Sequence, residues 1–215
     1  RLMQNKRGSI VALEPSTGEI LALVTSPAYD PNLLVGRVRS KNYNKLYQDT
    51  LVPLFNRALL AMYPPGSTFK LLVALVGQQE GVLNENTKYP CAGETARPIK
   101  CSHTHKSPLA LVESIEQSCN PYYWNVFRSI IDNPEYASTR EAFIKWRKYL
   151  ESFNLGETFN TDLLVERSGN VPRPEYYDKY FGKNVWRSMT IRSLSIGQGE
   201  LLVTPLQLAN MTAVI

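Results

Sequence analysis

Two short apolar runs stand near the start of the chain, at Gly8–Leu13 and at residues 19–25. Turn-forming residues at positions 15–18 separate them, so the pattern predicts a β-hairpin. Both runs are almost continuously apolar, which is typical of strands that are covered on both faces. An isolated hairpin is only marginally stable, and we therefore expect further strands to lie beside it.

Beyond the hairpin, apolar residues recur mainly at helical spacing. The pattern predicts helices over residues 67–79, 109–116, 121–127 and 139–150, and a capped helix that starts at Thr204-Pro205. Residues 29–56, 84–106 and 161–180 lack such a period and predict loops. The sum is a mixed α/β chain with an N-terminal hairpin and a mostly helical remainder.

Composition adds few constraints. The chain has 215 residues, of which 43% are hydrophobic and 20% charged, enough for one sizeable core. The net charge of +5 is spread over scattered Lys and Arg residues with no basic stripe among aromatics, so we expect no nucleic-acid partner. No apolar run approaches the length of a membrane span. The chain starts at Arg1, and its last predicted helix is still running at Ile215. We therefore expect it to be part of a longer protein.

The first candidate for chemistry is Ser67-Thr68-Phe69-Lys70, which follows two prolines and a glycine and precedes an apolar run. This context places Ser67 in the first turn of a helix, where backbone N–H groups lack partners within the helix. Lys70 is three residues on and shares its face. A serine beside a lysine at the positive end of a helix suits nucleophilic catalysis with an oxyanion.

Ser-x-x-Lys alone is weak, since a chain of this length holds on the order of one by chance. Ser-x-Asn, a second element that accompanies it in some serine enzymes, occurs three times, at residues 40–42, 118–120 and 168–170. Only Ser118-Cys119-Asn120 follows a predicted helix. The other two lie in predicted polar loops, where Ser and Asn are common turn residues.

Taken together, these motifs resemble the transpeptidase domain of class B penicillin-binding proteins, most closely the elongation type called penicillin-binding protein 2. The resemblance covers almost the whole chain in family order. It rests on residues 8–22, 56–58, 63–70, 118–120, 196–199 and 204–207. Tyr63-Pro64-Pro65-Gly66-Ser67 favours the elongation type over the septal type. The implied fold is the α/β fold shared with serine β-lactamases.

The resemblance implies a serine acyl-enzyme in peptidoglycan cross-linking. Ser67 would be acylated by a stem peptide ending in D-Ala-D-Ala, and Lys70 would take its proton. Ser118 would relay a proton to the leaving amine, and Asn120 would hold the substrate amide. β-Lactams would mimic the same peptide end. Expected partners are elongation proteins, including a glycosyltransferase of the shape, elongation, division and sporulation (SEDS) family. The expected location is the periplasmic face of the inner membrane, with an N-terminal transmembrane anchor outside this chain.

One family element is absent. The 215 residues contain no Lys-Thr-Gly or Lys-Ser-Gly, the motif that in the family follows the segment where this chain ends. We therefore expect residues 1–215 to form a partial transpeptidase domain that lacks its C-terminal strands and is inactive, or nearly so, by itself. Two alternatives remain: a serine β-lactamase similar to class D, and a non-catalytic β-lactam sensor or scaffold.

The three cysteines and two histidines are unevenly spread. Both histidines, His103 and His105, lie in the predicted loop that also holds Cys91 and Cys101, and Cys119 lies inside the Ser-x-Asn element. In an exported domain a Cys91–Cys101 disulfide is one interpretation. The other is a structural tetrahedral Zn²⁺ site made by Cys91, Cys101, Cys119 and one histidine. The clustering of histidine beside cysteine favours metal, with His105 ahead of His103. No catalytic cofactor is expected.

Overall fold

The computed structural model describes residues 3, 4, 6–163 and 165–215. The chain divides into two compact units. One, here the hairpin unit, comprises Arg1–Tyr63, Phe153–Gly169 and Val203–Ile215. The other, the helical unit, comprises Pro64–Ser152 and Asn170–Leu202. In the described residues the chain is mixed α/β, as the sequence predicted, with one two-stranded sheet and helices elsewhere.

The predicted hairpin is confirmed. Strands β1 (Gly8–Leu13) and β2 (Ile20–Ser26) run antiparallel, with Ile10 opposite Val24. The register shifts between Ala12 and Leu13. The expectation that both faces are covered is wrong for the described residues, because Leu21 of β2 is 64% exposed. A continuous apolar run does not show whether neighbouring elements cover one face of the strand or both.

Two helices of the hairpin unit were not predicted, one inside the stretch 29–56 that was predicted as loop and one directly after it. Helix α1 (Arg39–Tyr47) has no buried residue, so its sequence carries no apolar stripe that could have predicted it. Helix α2 (Arg57–Leu60) is a single turn, capped by the Asn56 side chain, which accepts from the Ala58 N–H at 3.1 Å. Such a short helix is set by its cap and by tertiary packing.

The C-terminal helix α8 (Pro205–Val214) begins as its sequence predicted. Thr204 Oγ1 accepts from the Gln207 N–H at 3.2 Å, and Gln207 Oε1 accepts from the Thr204 N–H at 3.0 Å. The buried Gln207 Nε2 also lies within 2.8–3.1 Å of three backbone carbonyls of the 153–169 segment, to which its two N–H groups donate. This capping box therefore also fastens that segment to α8, within the hairpin unit.

The helical unit has five helices among its described residues: α3 (Lys70–Gln79), α4 (Leu111–Glu116), α5 (Asn120–Ile131), α6 (Thr139–Ser152) and α7 (Pro174–Phe181). Helix α5 packs against α3, α6 and a 3-10 turn at Arg192–Ile196. Aromatic rings fill the core, where Trp146 contacts Phe69, Phe127 and Phe143 at centroid distances of 5.3–6.2 Å. The core thus surrounds the start of α3 and the middle of α5.

Helix α7 was predicted to be loop. Pro174 occupies its first turn, and the buried Tyr177 packs on Phe143 with its ring centroid 5.6 Å away. The prolines and tyrosines of this stretch obscured a short helix that proline starts rather than breaks. No helix in the described part of the chain has the length and apolar character needed to cross a membrane.

Candidate active site and metal cluster

Ser67 lies in a tight turn that leads directly into α3. Residues Gly66–Phe69 form a 3-10 helix, and the α-helix begins only at Lys70. The turn is therefore tighter than the α-helical first turn that the sequence predicted. In a 3-10 helix, side chains three residues apart are eclipsed, so Ser67 and Lys70 stay on one side. Ser67 is exposed and available to a ligand.

Lys70 is the centre of a hydrogen-bond network. Its side chain is buried, with 3% of the residue exposed. The ammonium Nζ donates to the Ser118 backbone carbonyl at 2.6 Å, to Ser118 Oγ at 3.0 Å and to Asn120 Oδ1 at 2.6 Å. An ammonium has three N–H donors, and each has an acceptor here. The lysine is therefore held in one position by the protein alone.

Burial also changes the acidity of Lys70. Desolvation lowers its pKa to about 8, although the nearby Cys119 and Cys101 thiols act in the opposite direction. A group with this pKa is neutral in roughly one molecule in ten at pH 7. Only a neutral amine can accept a proton, so this environment brings Lys70 towards the state that a general base requires.

Ser118 and Asn120 flank the junction of α4 and α5. Ser118 has a φ of 47°, in the left-handed region that costs energy for a residue with a side chain. Asn120 is the first residue of α5, and its Nδ2 donates to the Lys100 carbonyl at 3.0 Å. Because the amide carries two N–H donors, one is left for a substrate carbonyl. The junction thus presents a hydroxyl and an amide N–H beside Lys70.

The four residues predicted for catalysis all belong to the helical unit. Lys70 contacts both Ser118 and Asn120, and Ser67 stands one 3-10 turn before Lys70. The other two Ser-x-Asn sequences take no part in this network. The role of the Lys100 carbonyl was not predicted. Every residue type has a backbone carbonyl, so the sequence does not indicate which carbonyl will hold Asn120.

The predicted metal ligands also come together. One ligand atom from each of Cys91, Cys101, His105 and Cys119 lies within 4.8 Å of the other three. His105 Nδ1 lies 2.7 Å from the Lys106 carbonyl, which favours a proton on Nδ1 and leaves Nε2 facing Cys101 Sγ at 3.4 Å. His103 Nδ1 instead lies 3.2 Å from Ser102 Oγ. Of the two histidines, the geometry selects His105.

The thiols in this cluster differ in acidity. Burial raises the pKa of Cys101, but N–H donors from His103 and Asn120 and hydrogen bonds with His105 and Cys91 outweigh it and bring the pKa to about 7. Burial raises the pKa of Cys119 to about 12. The pKa of His105 is raised, first by the Lys106 carbonyl. Thiolates this close together repel one another, so a bound divalent cation would favour their joint ionisation.

The donor set fits zinc. Three sulfurs and one imidazole nitrogen are ligands that Zn²⁺ prefers in closed structural sites. Tetrahedral bonds of about 2.3 Å to sulfur place the sulfurs about 3.8 Å apart, so atoms within 4.8 Å need only a small closure. All three cysteines are free thiols in the structure. Four protein ligands would leave no open position for catalysis.

The cluster and the Lys70 network share two segments. Cys119 lies between Ser118 and Asn120, and Cys101 directly follows Lys100, whose carbonyl accepts from Asn120. The backbone N–H of Asn120 also donates to Cys101. Any ligand that fixes Cys101 and Cys119 therefore also fixes the groups that contact Lys70.

This combination of fold and site defines a class. A serine at a helix start, a buried lysine one turn on and a Ser-x-Asn element at a helix junction are the first two motifs of penicillin-recognising serine enzymes. Residues 8–215 match the family model described as penicillin binding protein transpeptidase domain. The chain belongs to this family.

Two of the most similar curated proteins are transpeptidases of one type. The peptidoglycan D,D-transpeptidase MrdA of Acinetobacter baumannii is 33% identical over 218 residues, covering 99% of this chain and 31% of the relative. MrdA of Escherichia coli K12 is 33% identical over 97% of this chain and 32% of its own length. The chain thus spans about a third of the curated relatives it matches.

Solved structures agree with this assignment. PBP2 of Pseudomonas aeruginosa in complex with WCK 5153 superposes with a TM-score of 0.80 at 32% identity, over 99% of this chain and 47% of that one. PBP2 of Helicobacter pylori in complex with MreC gives a TM-score of 0.82 at 31% identity, over 99% of this chain and 38% of that one. The fold is that of penicillin-binding transpeptidases.

Proposed function

We propose that this chain carries the acylating residues of a peptidoglycan D,D-transpeptidase that cross-links stem peptides during cell-wall elongation. The observation that supports it best is the buried Lys70, which contacts Ser118 Oγ and Asn120 Oδ1 one turn after the exposed Ser67. The relatives named above are D,D-transpeptidases of the MrdA type, which favours the elongation role.

In the proposed reaction, Ser67 Oγ attacks the carbonyl of the penultimate D-Ala while neutral Lys70 takes its proton. The Ser67 N–H, which has no partner within its helix, stabilises the oxyanion. Ser118 passes the proton to the amine of the terminal D-Ala, which leaves. The amine of a second stem peptide then attacks the acyl-enzyme and regenerates the Ser67 hydroxyl. The products are a cross-linked peptide and D-Ala.

Two other outcomes use the same first step. A β-lactamase would release its acyl group to water quickly, and a sensor would keep the acyl group without cross-linking peptides. We would therefore incubate the full-length protein with benzylpenicillin and, separately, with stem peptides ending in D-Ala-D-Ala. A slowly released adduct together with D-Ala release and peptide dimers supports the transpeptidase. Rapid turnover of penicillin, or an adduct with no dimers, contradicts it.

We further propose that Cys91, Cys101, His105 and Cys119 hold a structural Zn²⁺. The metal would pin the 91–106 loop to the α4–α5 junction and so support Ser118 and Asn120. It would not take part in the chemistry, because its four protein ligands close the coordination sphere. Metal analysis of protein purified without added zinc tests this, and the absence of stoichiometric zinc would contradict it.

The remaining expectations concern the protein as a whole. We propose that residues 1–215 are part of a transpeptidase domain that also uses a Lys-Thr-Gly or Lys-Ser-Gly strand, and that it works on the outer face of the inner membrane with an anchor. Its partners would be a SEDS-family glycosyltransferase and other elongation proteins. The structure of the related H. pylori PBP2 with MreC supports the idea of such partners. Co-purification of the full-length protein with candidate partners tests it.

A further inference from the structure

A second backbone segment touches the turn that carries Ser67. The 3-10 turn Arg192–Ile196 ends at Gly197, which has a left-handed φ of 66°. The Gly197 carbonyl accepts from the Gly66 N–H at 2.9 Å, and Gly66 immediately precedes Ser67. The position of the Ser67 peptide is therefore set from outside its own helix.

No side chain fits at Gly197. A Cβ atom there would lie 2.4 Å from the Gly66 carbonyl oxygen, 2.9 Å from the Gly66 nitrogen and 2.7 Å from Phe69 Cβ. Each distance is well below van der Waals contact, and two of the three atoms are backbone of the Ser67 turn. Backbone cannot rotate away as a side-chain tip can, so an added methyl group must displace the turn or Gly197 itself.

The Gly197 side of this contact is firmly held. Leu194 and Ser195 are fully buried, and Ser195 Oγ donates to the Arg192 carbonyl at 2.6 Å. The Gln198 N–H donates to the Ser193 carbonyl at 3.1 Å, which closes the segment on itself. The segment also packs against α5. Because Ser67 is exposed, we expect the Ser67 turn to be displaced by a Cβ atom at position 197.

We infer that Gly197 is a positioning residue for acylation: its carbonyl and its missing side chain fix where Ser67 Oγ and the Ser67 N–H stand. This inference rests on the proposed function of Ser67. The hydrogen bond occupies the Gly66 N–H and leaves the next N–H, that of Ser67, for the oxyanion. A displacement of about 1 Å in such a site costs about 10²-fold in rate.

The test compares Gly197→Ala with Gly81→Ala in the full-length protein. Gly81 also has a left-handed φ, of 68°, but a Cβ there meets no atom within 4 Å. Both substitutions thus force alanine into a disfavoured conformation, and only the first presses on the Ser67 turn. We would measure the acylation rate constant and the binding constant for benzylpenicillin separately, the pH profile of the rate, and hydrogen exchange of the Gly66 amide.

We expect Gly197→Ala to lower the acylation rate constant by about 10- to 100-fold, with the pH midpoint unchanged because Lys70 keeps its three acceptors. We also expect its Gly66 amide to lose protection, while Gly81→Ala acylates within about twofold of the parent. Equal rates for Gly197→Ala and the parent, or equal losses in both variants, would overturn the inference.

Two further outcomes are covered by hydrogen exchange. If the parent is not acylated at all, the proposed function fails, and protection of the Gly66 amide alone decides whether the contact exists. If Gly197→Ala does not fold, exchange of the same amide in the parent decides it. Strong protection supports the contact that fixes the turn, and exchange at the rate of an open amide overturns it.

Discussion

The Lys70 network and the Cys91–Cys101–His105–Cys119 cluster lie in the same unit, yet they are completed in different ways. All three N–H groups of Lys70 have acceptors supplied by the protein. The cluster instead brings three sulfurs and one imidazole nitrogen within 4.8 Å of one another, and these are donors that suit Zn²⁺. The first site is therefore preorganised by the protein's own hydrogen bonds, whereas we propose that a metal ion completes the second.

Replacing Lys70 gives the largest expected effect. Lys70→Ala removes the proposed base, so we expect acylation by benzylpenicillin to slow by about 10²- to 10⁴-fold. Lys70→Arg is the matched control for charge, because arginine keeps the positive charge but stays protonated. Rapid-quench kinetics on both variants give the rates. Acylation of Lys70→Arg at the parental rate would show that Lys70 acts only as a cation.

Removal of the metal tests the proposed role of the cysteine–histidine cluster. For a metal present at about 1,000 times its dissociation constant, a strong chelator costs about 4 kcal/mol of folding free energy. Each kcal/mol lowers Tm by about 2–4 °C in a domain of this size. Calorimetry with and without chelator measures the shift.

The two histidines provide a matched pair for the same test. We expect His105→Ala to abolish bound zinc and to make Tm insensitive to chelator, and His103→Ala to retain both properties, since His103 lies outside the cluster. If the Tm of the parent protein is unchanged by chelator but falls when a thiol reductant is added, the loop is held by a disulfide. This result would contradict the metal site.

The pH dependence of acylation gives a smaller effect. Burial lowers the pKa of Lys70 to about 8, and only the neutral amine accepts the Ser67 proton. The rate should therefore rise about tenfold per pH unit below pH 8 and level off above it. Acylation rates from pH 6 to 9.5 measure this. A rate that is flat across this range, or falls as pH rises, would exclude Lys70 as the base.

The smallest effect is expected at the surface of the same loop. Lys106 Nζ lies 3.3 Å from Glu113 Oε1, but the two side chains are 79% and 41% exposed. Exposed ion pairs contribute little to stability because water screens the attraction between their charges. Lys106→Ala should therefore leave zinc content unchanged and shift Tm by at most about 4 °C. A larger loss would mean that this ion pair, rather than metal, holds the loop.

Sequence predicted the local parts of this structure best. Ser67 and Lys70 share one side because a spacing of three residues aligns them in any helical turn, and the Thr204 cap works through residues three apart. The hairpin followed from two apolar runs and a turn. The gathering of His105 with three cysteines was also anticipated, since both histidines of the chain lie in one short loop.

The sequence could not predict contacts made by backbone groups that are distant along the chain. The Lys100 carbonyl accepts a hydrogen bond from the Asn120 side chain, and the Gly197 carbonyl accepts one from the Gly66 N–H. Neither residue type indicates such a role. Helix α1 escaped prediction because it buries nothing, and α7 because its prolines and tyrosines looked like loop. These features depend on which segments pack against each other in the folded unit. Residues that are distant in sequence decide this packing, so a local pattern does not reveal it.

The proposed function depends above all on Ser67 being the acylated nucleophile. The most direct measurement is intact-mass analysis of the full-length protein, Ser67→Ala and Ser40→Ala after incubation with benzylpenicillin. Ser40 is an exposed serine on α1 and controls for non-specific acylation. We expect one persistent adduct on the parent and on Ser40→Ala, and none on Ser67→Ala. An adduct that survives in Ser67→Ala, or no adduct on the parent, would contradict it.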